Sequence, residues 1–133
     1  MRNTRLHIAI IVMAAFSLAL SGCKADLQVV SLTHLPKSPT TADTITFTAV
    51  VKNTGFKAAG PSMLALKVGG ETYPPTYPVP ALAPNESHRV QRRENLSVAQ
   101  RYRNTATADV KDQVDELNEN NNKRTEDYTV RAP

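Results

Sequence analysis

Asp43-Thr44-Ile45-Thr46-Phe47-Thr48-Ala49-Val50-Val51-Lys52-Asn53-Thr54-Gly55 alternates apolar side chains with hydroxyl-bearing or apolar neighbours. Ile45, Phe47, Ala49 and Val51 fall on one side, and Thr44, Thr46, Thr48 and Val50 on the other. Successive side chains of a strand point to opposite faces, so this period of two, rich in β-branched residues, predicts a strand over 43–53 with one buried face. Asn53-Thr54-Gly55 closes it with turn chemistry.

The flanking chain repeats the pattern. Residues 26–34 read as a strand with Leu27, Val29 and Leu32 inward, broken by Pro36 and Pro39. Met63 to Val68 alternates, Gly69-Gly70 gives a hairpin signal, and Glu71-Thr72-Tyr73 begins the predicted return strand. Pro74, Pro75, Pro78, Pro80 and Pro84 confine the next stretch to an extended edge or a loop, because proline cannot donate to a ladder. Ser87 to Leu96 is a polar strand candidate; Tyr102 to Val110 places Tyr102, Ala106, Ala108 and Val110 on one side; Lys123 to Val130 closes with Tyr128 and Val130 inward. Beyond residue 22 no apolar run keeps helical period. Seven short strands at regular spacing predict an all-β, immunoglobulin-like, seven-stranded antiparallel β-sandwich.

The first residues are of another kind. Arg2 and Arg5 precede an apolar run from Ile8 to Leu20, shorter than the ~20 residues a membrane span needs. Basic start, short apolar run and small residues make a cleavable secretory leader over residues 1–22. Leu20-Ser21-Gly22-Cys23 resembles the bacterial lipobox. That resemblance implies a diacylglyceryl group on the Cys23 thiol, cleavage before it and acylation of the new amino group; the alternative is an ordinary leader with a chance cysteine. Cys23 is the single cysteine of the 133 residues, so no disulfide can form within the chain. Residues 23–25 are then a lipidated N-terminus with a short linker, and residues 26–133 the folded domain. Losing Arg2 and Arg5 lowers the net charge from +4 to +2. That weak charge, with no nucleic-acid motif, argues against nucleic acid as a partner.

Three segments carry a second resemblance: Asp43 to Gly55, then Val79-Pro80-Ala81-Leu82-Ala83-Pro84-Asn85-Glu86-Ser87, then Asp109 followed by Val114 to Asn122. Their order and spacing resemble the CARDB domain, the cell-adhesion-related domain found in bacteria, from about Ala25 to Val130. The resemblance implies a seven-stranded immunoglobulin-like sandwich in extracellular or cell-surface proteins, acting as a binding or spacer module with no catalytic site to carry over. Two positions depart from that family's pattern: Arg92 and Asn104 stand where inward apolar residues are expected.

Two groups of residues could bind. Asp109, Asp112, Asp115, Glu116, Asn118, Glu119 and Asn120 form the densest set of oxygen ligands, suited to a hard cation such as calcium. They lack a turn glycine and the twelve-residue calcium-loop spacing, and the same side chains serve equally to bond nearby backbone. Arg89, Arg92, Arg93, Arg101 and Arg103 concentrate positive charge, either as a solvated face or as a patch for an anionic envelope partner. Tyr102 could bond back to the backbone as a tyrosine corner does.

Catalysis has little support. His34 and His88 are the only histidines past the leader, and no glycine-rich phosphate loop, nucleophile elbow or His/Cys metal spacing occurs, and no cofactor is expected. The expectation is a non-enzymatic binding or adhesion module, held to the membrane through acylated Cys23 and meeting a protein or glycan of the envelope. Lys24 after the cysteine favours the outer membrane if the cell is Gram-negative. The rival is a structural or accessory subunit of an envelope complex.

Overall fold

The computed structural model describes residues 23–133; the leader expected over 1–22 lies outside the described residues. Seven strands follow in order: β1 (Leu27–Leu35), β2 (Ile45–Asn53), β3 (Ser62–Lys67), β4 (Thr76–Val79), β5 (Ser87–Glu94), β6 (Gln100–Thr107) and β7 (Lys123–Val130). They form two antiparallel sheets, β1-β2-β5 and β4-β3-β6-β7. The described residues contain no helix.

The alternation seen in the sequence builds the core. In β2, Ile45, Phe47, Ala49 and Val51 are buried and pack on Leu64, Leu66, Ala106, Tyr128 and Val130 of the opposite sheet. β2 is the central strand of its sheet, with Val51 opposite Val29 on one side and His88 on the other. β1 switches phase partway. Leu27 and Val29 point inward, then Leu32 and His34, because the register slips between Val29 and Ser31 and Val30 becomes the extra residue of a β-bulge.

Three expectations need correction. Glu71 to Tyr73 is not a return strand. β3 pairs instead with β4, the proline-bounded edge strand, with Ala65 opposite Thr76. The connection exceeds a two-residue hairpin because Glu71 is drawn inward to Arg92. Val110 is exposed rather than inward: β6 ends at Thr107, and the left-handed backbone of Asp109 (φ 47°) turns the chain away.

Arg89, Arg92 and Arg93 do not share one face. Arg89 and Arg93 point to solvent, while the Arg92 side chain points inward and is only 9% exposed. Its guanidinium donates twice to Glu71, to Glu94 at 2.8 and 2.9 Å, and to the Leu66 carbonyl at 2.9 Å. Arg92 thus ties β5 of one sheet to the β3–β4 connection of the other. Arg92 holds the Glu71 carboxyl below its usual range, chiefly through that hydrogen bond.

Asn104 is fully buried and has a use as well. Its Oδ1 accepts from the Tyr128 hydroxyl at 3.1 Å and from Gly69 N–H at 3.3 Å. Tyr128 stacks on Tyr102 and lies against His34 and Phe47, and His34 bonds Glu126 at 2.7 Å. A polar-aromatic cluster therefore links β1 to β6 and β7. The Tyr102 hydroxyl donates to the Val98 carbonyl at 2.9 Å, back to the backbone four residues upstream.

Candidate functional site

The start of β1, the end of β2, the start of β3 and the 108–122 loop all lie at one end of the sandwich. The chain enters there. Cys23 is exposed, Lys24 is half-buried and Ala25 is already buried. The Lys24 carbonyl accepts from Phe56 N–H at 2.9 Å, and the Ala25 carbonyl accepts from Leu117 N–H at 2.9 Å. The entry segment is thus held between the β2–β3 loop and the acidic loop.

Two side chains lock that arrangement. Asn53 is fully buried: its Oδ1 accepts from Asp26 N–H at 3.1 Å and Gly55 N–H at 3.0 Å, and its Nδ2 donates to the carbonyls of Lys57 and Leu82. One amide therefore joins three segments that the sequence keeps well apart. Glu116 reaches in from the acidic loop, accepting from Leu27 N–H at 2.6 Å and from Asn122 Nδ2 at 2.7 Å. Burial pushes its carboxyl up to about 7 against those two bonds. Gly55 is fixed by close approach, since a Cβ there would lie 2.4 Å from the Lys24 carbonyl oxygen. Phe56 beside it is 76% exposed, and Leu117 on the other flank is also exposed. A hollow of about 370 Å3 opens at Cys23, lined in part by Lys24, Lys57, Ala58 and Val114.

The acidic loop divides its side chains. Asp109 is buried and caps its own loop, accepting from Gln113 N–H at 2.8 Å and Val114 N–H at 2.9 Å. Asp109 and Asp112 both take left-handed backbone, with φ of 47° and 51°, a conformation Asp tolerates better than most residues. This turn brings ligand oxygens of Asp109, Asp112 and Glu119 within 4.8 Å of one another. Of the other candidates, Asp115 pairs with Lys24 at 3.3 Å, Glu116 turns inward as above, and Asn118 accepts from Asn120 N–H at 2.9 Å. Asn122, which the sequence did not single out for binding, lines the same hollow as Asp109, Asp112 and Glu119.

The basic stretch is largely neutralised. Arg101 and Arg103 pair with Asp127 across β6 and β7, at 3.2 and 2.6 Å, and Arg103 draws the Asp127 carboxyl down to about 2. Arg92 is inward, so Arg89 and Arg93 are the arginines of β5 that face solvent.

Comparison with curated proteins finds no match. Among solved structures, the chain is similar to the CARDB domain of a Pyrococcus furiosus protein, described in complex with di-metal ions. That likeness has a TM-score of 0.74 at 27% identity over 84% of this chain and 97% of the other. A solution structure of the same Pyrococcus furiosus domain matches with a TM-score of 0.72 at 26% identity, over 83% of this chain and 98% of that one. A domain of a Methanosarcina acetivorans protein matches with a TM-score of 0.66 at 29% identity, over 80% of this chain and 92% of the other. The CARDB family model matches residues 24–126, the full span from the entry segment into β7. With that match and the seven-stranded sandwich, this chain belongs to the CARDB family.

Proposed function

We propose that this chain is a lipid-anchored CARDB module of the bacterial cell envelope, tethered through Cys23, that binds an envelope protein or glycan without catalysis. The observation that carries this proposal is the geometry of entry: Cys23 is exposed while Ala25 is buried and bridged to Glu116. Acyl chains on Cys23 would hold this end of the sandwich against the bilayer and leave the solvent-facing sheet surfaces to meet partners. More than one acyl chain gives stable attachment, whereas one alone is marginal. In a Gram-negative cell, Lys24 after the cysteine supports the outer membrane as the destination.

Expression in a bacterial host with labelled palmitate tests the anchor. The chain takes up label and sediments with membranes; Cys23→Ser loses the label and moves to the soluble fraction. Equal labelling and sedimentation of both forms would remove the proposal. Crosslinking on intact envelopes then separates two outcomes: a glycan supports adhesion, and one stoichiometric protein partner supports an accessory subunit.

A further inference from the structure

We propose that Asp109, Asp112, Glu119 and Asn122 form a binding site for one hard divalent cation, calcium-like in its ligand demands. The site is independent of the lipid anchor. It lies where the acidic loop leaves β6 and returns to β7, in a hollow of about 290 Å3. A water occupies roughly 30 Å3 in the liquid, so an ion with several waters fits.

The hollow is rich in acceptors and poor in donors. Ligand oxygens of three carboxylates converge within 4.8 Å, and among the described residues none of the three is in an ion pair. An ionised carboxylate offers about four lone-pair sites. Asp109 spends one on each oxygen, on Gln113 and Val114 N–H, and Glu119 spends one on Glu116 N–H. Capacity therefore remains at every carboxylate.

Asn122 supplies the independent observation. It is nine-tenths buried, and its Oδ1 has no hydrogen-bond partner. Buried polar atoms are rarely left so. Its orientation is determined, because Nδ2 donates to Glu116 Oε1 at 2.7 Å and lies 3.4 Å from the Ala108 carbonyl. A flipped amide would set Oδ1 against two acceptors. Asn122 lines the same hollow as the carboxylates, and Oδ1 is the side-chain polar atom it has left to offer. With the three carboxylates, an amide oxygen from the wall of the same hollow would make an all-oxygen ligand set of the kind calcium takes, with water completing the shell. Binding would join the two ends of the acidic loop and brace Glu116, which holds the start of β1.

The test is calcium titration by calorimetry, with thermal melts, on the full chain purified in detergent and stripped with chelator. Magnesium is titrated in parallel. The expected result is saturable one-to-one calcium binding, with Kd on the order of 10⁻⁴–10⁻³ M as in extracellular modules, and a melting point raised by calcium. Asp112→Asn and Glu119→Gln each weaken binding about tenfold or more while the chelator-treated melting point stays unchanged. Asp112 is exposed and accepts no described hydrogen bond, so its replacement leaves the fold intact. Asp115→Asn, outside the set, binds as the parent does. Coincident melts and no binding heat with either ion at about 10 mM, tenfold above the weakest such sites, would overturn the proposal. So would undiminished binding in both Asp112→Asn and Glu119→Gln.

Discussion

Replacing Asn53 by alanine should be among the most damaging single changes in the domain. The side chain is fully buried and makes four hydrogen bonds to backbone groups of three segments. Removing it orphans the N–H groups of Asp26 and Gly55, and each buried unsatisfied group costs about 1–3 kcal/mol. The two carbonyls lose less, since the Leu82 oxygen still accepts from Ala59 N–H at 2.8 Å. The sum is roughly 3–5 kcal/mol, a large share of the ~5–15 kcal/mol that holds a domain together. Asn95→Ala is the matched control. Asn95 also makes two hydrogen bonds, but both are exposed and water replaces them, so the cost stays within about 0.5 kcal/mol. Urea denaturation followed by circular dichroism measures both. With a slope of about 1–3 kcal/mol/M, Asn53→Ala lowers the midpoint by roughly 1–5 M. A shift no larger than that of Asn95→Ala would refute the role given to Asn53 as the clamp on the entry segment.

Gly55→Ala should destabilise by about 1–3 kcal/mol, as overpacking does, because its methyl would meet the Lys24 and Ala25 backbone; proteolysis near residue 24, compared with the parent, reports whether the entry segment is released. Arg92→Ala should cost about 2–3 kcal/mol in denaturant melts, less than a fully buried pair because Glu71 is a third exposed; the double change Arg92→Met with Glu71→Gln should recover most of it. Glu71 titrates below its ordinary value, so the pair's contribution is complete above that value and is lost as pH falls through the folded one; stability curves below about pH 4.5 should flatten in Glu71→Gln. Tyr102→Phe should cost about 0.5–1.5 kcal/mol, the net worth of its bond to Val98, with the sheet spectrum unchanged.

Much of this architecture is legible in local pattern. β2 and β7 show their buried faces directly, because period two is a property of neighbouring residues. The bulge at Val30 is implied by the same logic: Leu27, Val29 and Leu32 can all face inward only if one residue is inserted. What stays hidden is partnership at long range. Arg92 looks misplaced until Glu71, far off in sequence, is brought beside it. Asn53 looks like a turn residue and Asn104 like a polar intruder at an inward position, because their partners come from other strands and loops. Gly69-Gly70 signals a hairpin, yet the strand resumes only at Thr76, once the connection has passed Glu71 and Pro75. In the acidic loop, composition shows that ligand oxygens are plentiful. Only the fold sorts Asp109, Asp112 and Glu119 into one group and sends Asp115 to Lys24 and Glu116 to Leu27.

Mass spectrometry of the N-terminal peptide, taken from protein extracted from membranes, asks most directly whether this sandwich is tethered at its entry point. A chain beginning at Cys23 and carrying a diacylglyceryl thioether with an acylated amino group is the predicted result. A chain that retains residues 1–22, or that begins at an unmodified Cys23, would contradict it.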